Sequence, residues 1–221
     1  MNAVAPRSLC LVVNGKAAGD AALRVGVHHL REQGHTLDVR VTWEKGDAAR
    51  WAAEAARQGI DVVAAAGGDG TLSEVVHGIV SLEKPAETAV AVVPYGTAND
   101  FATGCGIAKG NPLAALLLAA HGAIQRIDVG KVNDHHFINV ASGGFGAQVT
   151  AETPAPLKKA LGGAAYSLMG LITAAKMTPY EGQLITPDGA ERHSMLLMAV
   201  GNGRLAGGGY AVTPRAILND G

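Results

Sequence analysis

Cysteine, net charge and aromatic residues are all scarce in this chain, and each scarcity closes off a class of protein. Cys10 and Cys105 are the only cysteines. Without CxxC spacing they suggest neither a disulfide framework nor a zinc site, which suits a reducing compartment. Lys+Arg 18 against Asp+Glu 19 leaves the chain near neutral, so no basic excess points to nucleic acid or an anionic membrane surface. The start, MNAVAPRSLCLVVNG, carries a charge at Arg7 but then only a short apolar run at 9–13, too short for a secretory leader. A cytoplasmic location is the expectation. Aromatic residues make up 4% of the chain while glycines number 30, a balance that favours tight helix-on-sheet packing and several turns. What is plentiful is apolar content: 48% of 221 residues is enough for one large domain or two modest ones.

The first hundred residues alternate in hydrophobic period. SLCLVV at 8–13, TLDVRVTW at 36–43, the run at 61–66 and AVAVVP at 89–94 read as strands. Between them, Leu23, Val27 and Leu30 recur at helical spacing, GDAARWAAEAARQG from Gly46 is an alanine-rich helix, and a third helix is expected over 71–80. A further helix, NPLAALLLAAHG, closes this part. The βαβαβαβ order predicts a doubly wound, mostly parallel α/β sheet at 1–122.

The texture changes near Gly122. Two strands flank Asn133-Asp134 and a hairpin turns at Pro187-Asp188-Gly189, so 123–221 is expected to be mainly antiparallel. Leu157, Leu161, Ala165, Leu168, Ile172 and Ala175 form the stripe of one helix, with Lys158, Lys159 and Lys176 at its ends. It is too short to span a membrane; it reads as a helix covering one side of the second domain, with interfacial membrane contact as the alternative. The chain stops at Asp220-Gly221 where a strand should begin, and we expect it to be a fragment.

Ligands of doubly wound sheets bind beyond the carboxyl ends of the strands. Four segments belong there: Asn14-Gly15-Lys16, the stretch 42–47, GGDGT at 67–71 and PYGTAND at 94–100. Glycines let a backbone approach a phosphate, and the first N–H groups of a helix favour anions. The common motifs are absent: there is no GxxxxGK[ST], no third glycine for a dinucleotide fingerprint, no HExxH and no GxSxG. Thr71-Leu72-Ser73-Glu74 also fits a capping box with no ligand at all. Asp69 discriminates, because an acid among phosphates needs a divalent cation or a hydrogen bond to offset repulsion. A phosphate site here therefore predicts a magnesium–nucleotide complex. The histidines, among them His28-His29 and His135-His136, lack partners at ligand spacing and read as solvated. GNGRLAGGG at 201–209 is either a mobile lip of a site between domains or a flexible loop.

GGDGTLSE with PYGTANDFA, preceded by VTWEKGDAAR, resembles the diacylglycerol-kinase-type lipid kinases, which share a fold with NAD kinases and phosphofructokinases. FINVASGGFG, ETPAPLKKALGG, GNGRLAGGG and AILNDG resemble segments of bacterial members, and the likeness runs from Ser8 to Gly221. The resemblance implies a nucleotide-binding domain at 1–122 and a β-sandwich-like lipid kinase domain at 123–221, incomplete here, with a cleft between them. It places ATP contacts on Thr42, on Gly68, Asp69, Gly70, Thr71, Leu72, Ser73 and Glu74, and on Thr97. It implies a structural magnesium ion held by the Asp220 carboxylate and the Ile217 carbonyl. Lys158 would add charge near the cleft or lie exposed at a helix start. The family's proposed catalytic glutamate sits in a Leu-Asp-Gly-Glu stretch that this sequence lacks, so the resemblance supplies no catalytic residue here. The partners implied are ATP and a lipid hydroxyl of diacylglycerol or phosphatidylglycerol type, with any membrane contact peripheral and transient at the inner face. A soluble-acceptor kinase of the NAD kinase type, or a catalytically silent nucleotide-binding module, are the alternatives.

Overall fold

Buried parallel strands need apolar side chains on both faces, and the four runs at the start of the chain supply them. In the computed structural model, which describes residues 6–84, 86–144 and 179–221, they are β1 (Ser8–Asn14), β2 (Thr36–Thr42), β3 (Val62–Gly67) and β4 (Ala89–Pro94). They alternate with α1 (Ala21–Glu32), α2 (Asp47–Arg57) and α3 (Asp69–Val80), and are followed by α4 (Asp100–Gly104) and α5 (Pro112–His121). The strands form one parallel sheet of order β2-β1-β3-β4. Alternate residues feed two cores. Leu9, Leu11, Val13, Ala64 and Val93 pack with Leu23, Val27 and Leu30 of α1 and Leu116 of α5. Cys10, Val12, Val63, Ala65 and Val92 pack on the other face with Ala52 and Ala56 of α2 and Val75, Val76 and Ile79 of α3. Burial pushes the Cys10 thiol up to about 11, so it behaves as a small apolar side chain.

A close approach between α2 and α3 explains one glycine. A Cβ on Gly78 would lie 2.2 Å from the Ala49 carbonyl oxygen, so a larger residue would push the helices apart.

The later strands are short. β5 (Gly130–Val132) and β6 (His135–Phe137) form an antiparallel hairpin with Asn133 at its turn, φ 52°. β7 (Val140–Gly144) is hydrogen-bonded to β10 (Leu197–Gly201), and between them in sequence β8 (Tyr180–Thr186) and β9 (Gly189–Met195) make the hairpin expected at 187–189. β11 (Leu205–Ala206) and β12 (Tyr210–Ala211) pair antiparallel. The expected helix bearing Leu157 to Ala175 and its lysines, Lys158 included, lies outside the described residues.

Two compact units result: Met1–Val140 with Gly201–Gly221, and Ala141–Val200. The return of 201–221 to the first unit is sewn by specific bonds. The Asn202 side-chain amide donates to the Asp128 and Ile138 carbonyls, each 2.8 Å, and the Asp128 N–H donates to the Leu218 carbonyl at 2.7 Å. Among the described residues, no helix is long and apolar enough to cross a membrane.

Candidate functional site

A parallel sheet sends all its carboxyl ends to one edge, and the register places them level: Asn14 faces Thr42, and Gly67 faces Pro94. The glycine turn after β3 enters α3 at Asp69, with Gly68 as its N-cap. This corrects the capping box expected at 71–74. The helix starts two residues before Thr71, and the Glu74 carboxylate instead accepts the Gly46 N–H at 3.0 Å. The Thr71 hydroxyl accepts from the Asn14 side-chain amide at 3.4 Å.

Asp69 does not face an anion unaided. Its two carboxylate oxygens accept the N–H groups of Asp100 and Phe101, each at 3.0 Å. Those are the first amides of α4, so Asp69 caps a helix from a neighbouring loop, and the positive end of that helix offsets its charge. Of the two ways to offset the charge of Asp69, the hydrogen bond is present. Asp100 repeats the device one loop further on. Buried itself, its carboxylate accepts the N–H groups of Gly208 at 3.0 Å and Gly209 at 2.6 Å. Three loops are thus joined in series by carboxylates on backbone amides.

The GTAND loop is held from within by Asn99, buried and left-handed at φ 52°. Its side chain accepts the Gly96 N–H at 2.8 Å and donates to the Gly96 carbonyl at 2.7 Å. A Cβ on Gly96 would stand 2.4 Å from the Gly68 Cα, so the two glycine loops touch backbone to backbone.

The loop after β2 is fixed by a different acid. Asp47 accepts the Trp43 N–H at 2.8 Å and the Glu44 N–H at 3.2 Å, and pairs with the Arg50 guanidinium at 2.6 Å. The Arg50 bond, followed by those two amides, lowers its carboxyl to about 2. Asp20 and Tyr95 tie β4 to the start of α1: the phenol donates to Asp20 at 2.9 Å, and burial with this bond raises the Tyr95 hydroxyl.

Of the ATP contacts implied by the resemblance, Thr42, Thr71 and Glu74 line one cavity of about 630 Å³ with Asn14, Lys16 and Trp43. Gly68 is the N-cap of α3, and Asp69 and Gly70 are its first residues, directly before Thr71. Leu72 is buried in the core, and the Ser73 hydroxyl donates to the His136 carbonyl at 3.5 Å, so these two could offer a nucleotide only backbone. Thr97 is exposed at the tip of the GTAND loop. Ile217 lines a separate cavity of about 300 Å³ with Arg126 and Arg204, and Asp220, three residues further on, is exposed. The Gly221 N–H donates to the Asp128 carboxylate at 2.8 Å, which puts a second acid against the turn that carries Asp220.

Asp47, Asn99 and Asp100 build this edge and are not among the contacts the resemblance implies. The signal was there for Asn99 and Asp100, inside PYGTAND, but their partners are backbone amides that no spacing rule reveals. Of the histidine pair, His135 is exposed as expected, whereas His136 is half-buried, with its Nδ1 3.3 Å from the Nδ1 of His77.

A doubly wound sheet with touching glycine loops at a helix start is a geometry suited to a phosphate. The diacylglycerol kinase catalytic domain model matches residues 8–132. A "Probable lipid kinase YegS-like" protein of Chromohalobacter salexigens is 49% identical over 211 residues, covering 96% of this chain and 68% of that protein. One of the same name from Serratia proteamaculans is 43% identical over 217 residues, 98% of this chain and 71% of that protein. The crystal structure of a diacylglycerol kinase from Bacillus anthracis superposes with a TM-score of 0.74 at 26% identity, covering 99% of this chain and 72% of that one. The chain belongs to the diacylglycerol-kinase-type lipid kinase family.

Proposed function

We propose that this protein is an ATP-dependent lipid kinase, moving the γ-phosphoryl group of ATP to a lipid hydroxyl of diacylglycerol or phosphatidylglycerol type. The observation that carries this reading is the Asp69 clamp, which fixes two glycine loops against each other at the edge of the sheet. Fixed loops keep their N–H groups aimed at one place, and preorganised donors are most of what phosphoryl transfer asks of a protein. In this reading the amides of Gly68 through Thr71 hold the phosphates, with the Thr42 and Thr71 hydroxyls beside them and Thr97 at the rim. Leu72, Ser73 and Glu74 contribute through the helix start they belong to. The lipid oxygen attacks the γ-phosphorus in line as ADP leaves, and the hydroxyl proton passes to a general base that we assign to no residue of 1–221.

Magnesium accompanies ATP as its counter-ion. We also place one ion at the Ile217 carbonyl and the Asp220 carboxylate. Both are hard oxygens, and the Asp128 carboxylate accepts the Gly221 N–H beside Asp220; among the described residues no cluster of three or more acidic, histidine or cysteine side chains gathers. Such an ion would brace 217–220. We keep 1–122 as the nucleotide-binding part and 123–221 as the part that meets the lipid, acting in the cytoplasm with peripheral contact at the inner membrane face.

The test is incubation with γ-phosphate-labelled ATP, magnesium and vesicles of either diacylglycerol or phosphatidylglycerol, with NAD as a soluble competitor. Label in the organic phase supports the reading and names the acceptor. Label found only on NAD or in other water-soluble products overturns it.

A further inference from the structure

The chain has two tryptophans, and the fold treats them in opposite ways. Trp51 is packed, with the Arg50 guanidinium 4.0 Å and that of Arg40 5.2 Å from its ring centre. Trp43 is 93% exposed, more than any other large apolar residue described. One exposed apolar side chain needs no explanation by itself. Here, however, the backbone that carries it is pinned on both sides. The Trp43 and Glu44 N–H groups end on Asp47, itself paired with Arg50, and the Gly46 N–H ends on Glu74 of α3. A short loop held by two acids from two helices is a rigid perch, and Trp43 on it is among the residues that line the 630 Å³ cavity. That cavity has the size of a small-molecule site, and Thr42, Thr71 and Lys16 line its other parts.

We infer that the Trp43 indole is the stacking platform for the nucleobase of the bound nucleotide, so that the site selects a nucleoside triphosphate over a bare triphosphate. This rests on the ATP reading above and adds the base-contact residue to it. The chemistry is that of any flat π-face on another: the base covers an indole that otherwise faces water, and the stack is insensitive to salt in a way that phosphate contacts are not. The phosphates lie toward the amides of 68–71 and the base toward Trp43, which fixes the direction of the nucleotide along the cavity.

The experiment measures binding of MgATP and of magnesium tripolyphosphate by calorimetry and tryptophan emission, in the natural protein, Trp43→Phe and Trp43→Ala. The natural protein should bind MgATP about tenfold more tightly than tripolyphosphate, and MgATP should quench its emission. Trp43→Ala should weaken MgATP about tenfold and leave tripolyphosphate unchanged, which also shows that the variant is folded. Trp43→Phe should keep most of the MgATP affinity and lose the emission change, since Trp51 is then the sole emitter. Equal MgATP affinity in Trp43→Ala and the natural protein overturns the inference while leaving the ATP reading intact. So does equal binding of MgATP and tripolyphosphate by the natural protein. If the natural protein binds neither, the ATP reading falls and the inference with it.

Discussion

At the scale of single residues, Asp69 shows how an acid can stand at the centre of an anion-binding turn. Its charge is met by two amides of α4, at 3.0 Å each, so it repels a phosphate less than a free carboxylate would and stiffens the loop that must receive one. Asp69→Asn keeps the size of the side chain but replaces one acceptor with an NH₂ group, which leaves the N–H of Asp100 or Phe101 facing another donor. We expect a loss of about 1–3 kcal/mol in urea unfolding, with hydrogen exchange at those two amides speeded more than at core amides of β3. Unchanged exchange there would mean that the clamp does not hold α4. This partnership could not be read from sequence, because the bonded residues lie 31 and 32 positions apart. The local pattern Thr-Leu-Ser-Glu suggested a cap at Thr71 instead, and tertiary packing gave Glu74 to Gly46.

At the scale of elements, the β5–β6 hairpin docks on α3, the helix that begins with the glycine turn, and it does so through imidazoles. His77 Nδ1 accepts the His136 N–H at 3.4 Å and lies 3.3 Å from both the His136 Nδ1 and the Ser81 hydroxyl; the His135 ring is 5.6 Å from that of His77. Burial, then the His77 and Lys131 charges, lowers the His136 pKa below its ordinary value of 6.5. The folded protein therefore refuses a proton that the unfolded chain accepts. Stability is fully present above about pH 6.5 and falls as pH drops below it. Urea midpoints at about pH 7.5 and about pH 5.5 should differ in the natural protein and converge in His136→Gln. A pH dependence that survives the substitution would remove His136 as its source. The strands and helices themselves were legible, since buried parallel strands read as unbroken apolar runs and α1 to α3 carry their stripes openly. Helix starts were less so: α3 begins at Asp69 because the turn geometry of Gly67-Gly68, and not the Thr-x-x-Glu pattern, sets where helical backbone begins.

At the scale of the whole molecule, the parallel sheet, its two helical layers and the four loops at one edge follow from the order of hydrophobic periods. The path of 201–221 does not. It joins the first unit through Asn202, whose partners Asp128 and Ile138 lie 74 and 64 residues away, and through the amides that Gly208 and Gly209 give to Asp100. Backbone and amide contacts of that range leave no periodic trace in a sequence. Their effect is that the turn at 207–209, the GTAND loop and the glycine turn after β3 form one connected edge, on which the proposed ATP site depends. The most direct measurement compares the natural protein with Asp69→Ala in transfer of label from γ-phosphate-labelled ATP to lipid vesicles. If the clamped loops hold the nucleotide, the natural protein labels the lipid and Asp69→Ala, folded by circular dichroism, loses about a hundredfold in rate, on the scale of a lost preorganised donor. A folded Asp69→Ala that labels lipid at the natural rate would contradict it.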